Sequence, residues 1–146
     1  HRLQGVIDGM PDPIQVVFRP ECLLSVKTGD LQPLSWSKGK TALLCSGVGH
    51  AGSFHSLVEQ IGLKVLDEVV YADHHTYTNQ DVERLSAKAK DLQAELVVTT
   101  EKDACKLAAL LQHTDNWWAV RLTTQVTVGE ERLKRLVSGM RLKGCE

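Results

Sequence analysis

The chain has 146 residues and a nearly balanced charge, with 17 Lys and Arg against 18 Asp and Glu, for a net charge of −1. This length fits one domain of roughly 100–200 residues, and the lack of a basic excess argues against a general nucleic-acid-binding protein. The hydrophobic fraction of 42% and the charged fraction of 24% are typical of a globular chain and exclude a disordered or collagen-like one.

The ends and the cysteines indicate the setting of the protein. The sequence begins at His1 without an initiator Met or a signal segment, so we expect a piece of a longer chain. Because no apolar run reaches the ~18–20 residues of a spanning helix, we expect no transmembrane segment. The four cysteines form no CxxC pair, which predicts reduced thiols in a cytoplasmic protein; they are Cys22, Cys45, Cys105 and Cys145.

The first forty residues contain all four prolines and predict a β-rich linker or lead-in over residues 1–40. Two strands are predicted there, over 14–18 and 23–26, with a break at Arg19-Pro20-Glu21 between them. A turn at 27–30 follows. The pattern predicts a short antiparallel lead-in that connects to a preceding domain.

From Thr41 onward, strand and helix patterns alternate. Strands are predicted over 41–46, 64–71, 95–99 and 117–122, and Thr78 and Thr100 are the predicted N-caps of two of the helices. Each strand is followed by an apolar stripe at helical spacing: Phe54-Leu57-Val58-Ile61, Val82-Leu85-Ala89-Leu92, Ala104-Leu107-Ala108-Leu111 and Leu133-Leu136-Val137-Met140. The alternation predicts an α/β domain over 41–146, a mostly parallel open sheet with helices on both faces, Rossmann-like, after the antiparallel lead-in.

In such sheets, ligands bind at the loops that follow the carboxyl ends of the strands, here 47–53, 72–79, 100–103 and 123–129. The first loop holds a literal GxGxxG, Gly47-Val48-Gly49-His50-Ala51-Gly52. It allows a non-catalytic nucleotide- or dinucleotide-binding module that uses Gly47, Gly49 and Gly52, with Asp73 on the ribose. The alternative is an ordinary glycine-rich strand-to-helix turn.

A phosphate-binding P-loop is not found in the sequence. Ser37-Lys38-Gly39-Lys40-Thr41 ends like one, but Leu34 stands where the first glycine of GxxxxGK[ST] is required. The segment also precedes a strand instead of following one. We therefore expect no Walker A loop in this chain.

Asp73-His74-His75 follows the second predicted strand at the expected ligand edge. An imidazole that titrates near neutral pH, beside a carboxylate that can orient it, suits general acid–base chemistry. Three adjacent residues cannot all bind one ion without strain, so we predict no metal site. A solvated polar loop remains the alternative.

A second polar motif, Thr99-Thr100-Glu101-Lys102-Asp103-Ala104, lies at the next strand-to-helix turn. Helix capping explains Thr100 and Asp103, but it does not explain Glu101 and Lys102. Trp117 and Trp118 are expected to lie on opposite faces of the last predicted strand.

Four stretches, read in order, resemble the C-terminal half of the tetraacyldisaccharide 4′-kinase family, the lipid A 4′-kinases. The resemblance covers about residues 14–140. It is most specific at Asp73-His74 with Tyr77 three residues later, and at Thr100-Glu101-Lys102-Asp103-Ala104. The four stretches are 46–49, 57–63, 71–78 and 97–104.

The resemblance implies a kinase that transfers the γ-phosphate of ATP to the 4′-hydroxyl of a lipid A disaccharide precursor. It implies that ATP and Mg²⁺ are bound mainly by an N-terminal P-loop domain of the same chain, and that this piece is the substrate-side or lid domain, inactive alone. The implied location is peripheral, at the cytoplasmic face of the bacterial inner membrane, with no nucleic-acid partner.

The resemblance also implies residue roles. His74 is the catalytic imidazole that activates the sugar hydroxyl together with an Asp of the other domain, and Asp73 orients His74 or its loop. Position 75 is often another residue in the family, so the catalytic role falls on His74. His50-Ala51 stand where the family commonly has Asn-Pro. Substrate or interdomain positioning is implied for Gly47, Gly49, Thr100, Glu101, Lys102 and Asp103.

Overall fold

The computed structural model describes residues 13–47, 51–112 and 116–139. These residues divide into two compact units, one of residues 20–123 and one of residues 13–19 with 124–139. The elements in chain order are β1 (Gln15–Ser25), β2 (Leu31–Pro33), α1 (Leu34–Ser37), β3 (Thr41–Ser46), α2 (Ala51–Gln60), β4 (Lys64–Val70), α3 (Asn79–Asp91), β5 (Leu96–Thr100), α4 (Glu101–Leu107), β6 (Trp117–Val128) and α5 (Glu130–Gly139). The predicted domain boundary at residue 40 stays a prediction.

In the described part of the chain, six strands form one mixed sheet in the order β2-β1-β6-β5-β3-β4. β3 is parallel to both β4 and β5, and β5 is parallel to β6. β1 and β2 form an antiparallel pair, with Leu23 opposite Gln32. The predicted α/β class, with a mostly parallel sheet and an antiparallel lead-in, is confirmed.

Alternate side chains of the central strands enter two cores, one on each face of the sheet in the unit of residues 20–123. Leu43 and Cys45 pack with α3 and α4, whereas Ala42 and Leu44 pack with α2. This follows from the two-residue period of a strand, which sends successive side chains to opposite faces. The predicted helices on both faces are confirmed, and the two tryptophans divide as expected, Trp117 to the first core and Trp118 to the second.

The lead-in differs from the prediction at its proline. β1 runs without interruption through Pro20, so the predicted break at 19–21 is wrong. β2 pairs only with residues 22–24 of β1, so Pro20 lies beyond that pairing. Proline disrupts a strand where a partner needs its N–H, and the pairing with β2 makes no such demand at Pro20.

The C-terminal part also differs from the prediction. β6 continues to Val128, so the predicted ligand loop at 123–129 is wrong for nearly all of its length. The β-branched residues of the segment, Thr123, Thr124, Val126, Thr127 and Val128, explain why it is extended. The Thr127 hydroxyl donates a hydrogen bond to the Gln15 carbonyl oxygen at 3.4 Å.

Helix α5 begins where the acidic residues predict, yet its apolar stripe is not buried. Leu136 and Val137 are 52% and 60% exposed, and Met140 lies outside the described residues. None of the helices in the described part of the chain has the length and apolarity that a membrane-spanning helix needs.

The cysteines Cys22, Cys45 and Cys105 are free thiols, and Cys145 lies outside the described residues. Burial raises the pKa of the Cys45 thiol to about 12. A buried thiol with a raised pKa is unreactive, so Cys45 is a core residue.

Candidate functional site

The carboxyl ends of β3, β4 and β5 bring three of the predicted loops to one edge of the sheet. Gly47 follows β3, the turn at 72–75 follows β4, and the first turn of α4 follows β5. In open parallel sheets this edge is where ligands bind. Of the first loop, residues 48–50 lie outside the described residues, so Gly49 has no described position.

His74 lies at the third position of a tight turn. The His75 N–H donates to the Ala72 carbonyl oxygen at 3.1 Å, which places Asp73 and His74 between them. His74 has φ of 63°, a left-handed conformation that turns normally reserve for glycine or asparagine at this position. Such a backbone costs on the order of 1–3 kcal/mol in a non-glycine residue and occurs often at functional sites.

The His74 imidazole is 83% exposed, and its Nε2 lies 3.5 Å from Asp73 Oδ2. The Lys102 ammonium donates to Asp73 Oδ1 at 2.6 Å, and the same oxygen accepts the His74 N–H at 3.0 Å. The Lys102 contact lowers the pKa of Asp73 below its usual range. Lys102, which capping does not explain, thus holds the turn that carries His74 to the first turn of α4.

Asp103 is fully buried at the same edge. Its Oδ2 accepts the Gly47 N–H at 2.9 Å and the Thr100 hydroxyl at 2.8 Å, while Thr100 Oγ1 accepts the Asp103 N–H at 3.2 Å. A Cβ at position 47 would lie 3.3 Å from Asp103 Oδ1 and 3.4 Å from the Tyr77 hydroxyl oxygen, so glycine fits this position best. Asp103 therefore connects the exit of β3 to the start of α4, besides capping the helix.

This contact disfavours the dinucleotide-binding alternative. The Gly47 N–H, which would have to reach a phosphate, already donates to a buried carboxyl oxygen. Asp73, the predicted ribose ligand, is bound by Lys102. Gly52 has open space around it, since a Cβ at this position would meet nothing within 4 Å. The contacts of Gly47 and Gly52 are therefore those of an ordinary glycine-rich strand-to-helix turn.

Glu101 holds α4 to β6. Its Oε1 accepts the Arg121 Nε–H at 2.9 Å, and its Oε2 accepts the Leu122 N–H at 3.2 Å. The Glu101 carboxylate raises the pKa of Arg121. No sequence motif indicates Arg121, because the pairing of α4 with β6 is a tertiary contact between residues twenty positions apart.

A cavity of about 410 Å³ lies beside this turn and is mostly apolar. Lys102, which binds Asp73, is one of its lining residues, so the cavity borders the group that holds the His74 turn. Its other walls are Ser53, Phe54, Leu57, Thr100, Glu101, Val120 and Leu122.

A model of one protein family, described as tetraacyldisaccharide-1-P 4′-kinase, matches residues 10–140. The chain belongs to this family. The resemblance drawn from the motifs is thus confirmed, and the matched range includes every residue of the site above. The tetraacyldisaccharide 4′-kinase of Syntrophus aciditrophicus is 32% identical over 94 residues, which are 64% of this chain and 25% of that protein.

The enzyme of the same name from Bdellovibrio bacteriovorus is 32% identical over 114 residues, which are 78% of this chain and 34% of that protein. The chain therefore spans about a quarter to a third of the length of these relatives. LpxK from Aquifex aeolicus, solved in complex with ATP, shares the fold, with a TM-score of 0.58 and 23% identity over 86% of this chain and 35% of the solved one.

In proteins, Mg²⁺ is bound by oxygen atoms, chiefly those of carboxylates. Nowhere in ranges 13–47, 51–112 and 116–139 do three His, Cys, Asp or Glu side chains come together as metal ligands. Asp73, the carboxylate nearest to His74, has Lys102 and a backbone N–H on Oδ1. The described residues around His74 therefore offer no ready-made cluster of three carboxylate or imidazole ligands.

The structure brings together most of the predicted site residues of this tetraacyldisaccharide 4′-kinase family member. Lys102 joins the His74 turn, and Asp103 joins Gly47 to Thr100, whereas Glu101 points to β6. The catalytic and positioning roles of these residues stay predictions. Sequence analysis missed the surroundings of His75, because its contact with Asp81 forms only when the turn packs against the start of α3.

Proposed function

We propose that this chain is the C-terminal part of a tetraacyldisaccharide 4′-kinase, which transfers the γ-phosphate of ATP to the 4′-hydroxyl of a lipid A disaccharide precursor. The family match over residues 10–140 carries the proposal. The rest of the kinase would supply the N-terminal P-loop domain that binds ATP and Mg²⁺, because these 146 residues contain no GxxxxGK[ST] pattern.

In this proposal His74 is the catalytic residue. Acting together with an Asp of the other domain, its imidazole accepts the proton of the 4′-hydroxyl as the 4′-oxygen bonds to the γ-phosphorus and the bond from that phosphorus to the β–γ bridging oxygen of ATP breaks. Phosphoryl transfer depends mainly on positioning and charge stabilisation, to which a placed base contributes. The exposure of His74 at the ligand edge supports this role, since the reacting groups would come from the other domain.

The remaining site residues have a positioning role, because they hold the elements of the site to one another. Asp73 and Lys102 hold the His74 turn to α4, and Asp103 with Thr100 fixes Gly47 at the exit of β3. Glu101 fixes α4 to β6 through Arg121. Gly49 keeps its proposed positioning role, although it lies outside the described residues. The proposed location is peripheral, at the cytoplasmic face of the inner membrane, with membrane contact made through the rest of the kinase.

The test is His74→Ala in the full-length kinase that contains this chain. Loss of a general base typically costs 10²–10⁴-fold, so we expect kcat to fall by about that factor while KM for ATP changes little. The matched control is His55→Ala, since His55 lies on α2 and its ion-pair partners, Glu59 and Glu68, are not among the predicted site residues. A folded His74→Ala enzyme with the kcat of the unsubstituted kinase would disprove the catalytic role.

A further inference from the structure

His75, the neighbour of His74, is held by three side chains. Its Nε2 lies 3.2 Å from Asp81 Oδ2, and its ring stacks on Tyr71 with 4.3 Å between centroids and an angle of 27°. Tyr77 meets the same ring edge-on, at 5.0 Å and 87°. The side chain of His75 is 28% exposed, against 83% for His74. Two adjacent histidines thus have opposite surroundings.

The backbone of His75 is fixed as well. Its N–H closes the turn on the Ala72 carbonyl oxygen, and its own carbonyl oxygen accepts the Lys106 ammonium at 3.1 Å. Asp81 is itself fixed, because its Oδ2 also accepts the Thr78 N–H at 3.0 Å in the capping box of α3. His75 therefore connects the turn to the start of α3 and to α4.

The turn needs such an anchor. His74 adopts φ of 63°, and an unfavourable backbone of this kind persists only where its surroundings fix it. On the side that precedes His74, Asp73 is held by Lys102. On the side that follows His74, the contacts of His75 hold the backbone of the turn. Among the residues that the structure describes, the exposed imidazole between the two anchors has only the 3.5 Å approach of its Nε2 to Asp73, so its direction depends on the backbone of the turn.

We infer that His75 is a positioning residue: held by Asp81 and Tyr71, it keeps the 72–75 turn in the left-handed conformation that presents the His74 imidazole. The inference rests on the proposed function, since it assigns to His75 an effect that acts through His74. The inference applies to this chain because a histidine occupies position 75.

The test is a double-mutant cycle in the full-length kinase, with His74→Ala and His75→Ala made singly and together. A displacement of about 1 Å can cost about 10²-fold in rate, so we expect His75→Ala alone to lower kcat by about 10- to 10²-fold with KM for ATP little changed. In the His74→Ala background, His75→Ala is expected to cause no further loss, because the group that it positions is gone.

Two further variants separate the contacts and guard against misfolding. His75→Phe keeps a ring against Tyr71 but cannot bind Asp81, and His75→Gln keeps a polar group for Asp81 but loses the ring. Both are expected to lower kcat by less than His75→Ala, and circular dichroism checks that each variant is folded. If His75→Ala does not fold, His75→Phe takes its place in the cycle.

The outcomes are distinct. An equal fold-loss from the His75 substitution in both backgrounds would show a merely structural role and overturn the inference alone. An unchanged kcat in the folded single variant would also overturn it while leaving His74 in place. An unchanged kcat in His74→Ala would overturn the catalytic role of His74 and, with it, the role inferred for His75.

Discussion

The residue that explains most of the local geometry is Asp103, a carboxyl group with no exposed surface. Two donors converge on its Oδ2, the Gly47 N–H and the Thr100 hydroxyl, while its Oδ1 lies 3.9 Å from the Lys106 ammonium. Buried polar groups are costly when they lose their partners. The position of Gly47 and the start of α4 therefore depend on one side chain.

We expect Asp103→Ala to destabilise the chain by about 1–3 kcal/mol, because it leaves the Gly47 N–H without its acceptor in a buried place. Urea unfolding followed by circular dichroism measures the change. Asp91→Ala is the matched control, since Asp91 is exposed at the end of α3, and a surface change of this kind is expected within about 0.5 kcal/mol. Equal unfolding midpoints for the two variants would show that Asp103 does not bridge the two elements.

At the scale of the elements, α3 and α4 begin in the same way. Each has a threonine N-cap and an aspartate three residues later, Thr78 with Asp81 and Thr100 with Asp103. The spacing alone predicts both caps. It does not distinguish them, although Asp81 reaches back to His75 whereas Asp103 reaches across to Gly47. These second contacts come from the sheet order, which places the ends of β3, β4 and β5 side by side.

Thr78→Ala tests the capping box of α3. The substitution removes the acceptor of the Asp81 N–H and one donor to Asp81 Oδ2, and loss of such a cap costs about 1 kcal/mol. We expect a decrease of that size in the free energy of unfolding of the chain, measured in urea. Gln80→Ala, an exposed position in the first turn of the same helix, serves as control and is expected to change it by less than about 0.5 kcal/mol. A Thr78→Ala chain as stable as the control would argue that the cap is not needed.

The elements that sequence analysis predicted well are those whose pattern is local. β3 has the predicted bounds, and α2 ends before Gly62, whose φ of +93° is the left-handed helix end that glycine favours. The errors arise where tertiary contacts, and not the local sequence pattern, determine the backbone conformation. Pro20 marks a break only if a neighbouring strand needs its N–H, and residues 123–128 form a strand although most of them are exposed.

The candidate site shows the same division. The chemistry of Asp73 and His74 and the cap at Thr100 are visible in the sequence, because they depend on adjacent residues. The binding of Asp73 by Lys102 across 29 positions is not, since it requires β4 and β5 to end at one edge. His75 illustrates this most clearly, because its partners Tyr71, Tyr77, Asp81 and Lys106 surround it only in the folded chain.

At the scale of the whole molecule, the chain corresponds to about a quarter to a third of the length of its relatives. Its proposed catalytic side chain is exposed, and no described carboxylate other than Asp73 is within ion-pairing distance of it. In the proposed reaction, His74 acts only when the N-terminal domain brings the hydroxyl and the phosphate to it. Domain closure of this kind is common among enzymes that must exclude water from a phosphoryl transfer.

The isolated 146-residue chain is therefore expected to fold but not to transfer phosphate. Catalysis of phosphoryl transfer depends on groups that grip the γ-phosphate, and the sequence lacks the P-loop pattern that supplies them. The measurement is transfer of label from γ-³²P-ATP to a tetraacyldisaccharide 1-phosphate in detergent micelles, with circular dichroism to show that the chain is folded. The full-length kinase that contains this chain is the positive control. Label transfer by the isolated chain at a rate near that of the full-length protein would place the phosphate-binding groups within these 146 residues. It would contradict the proposal that the N-terminal domain binds ATP.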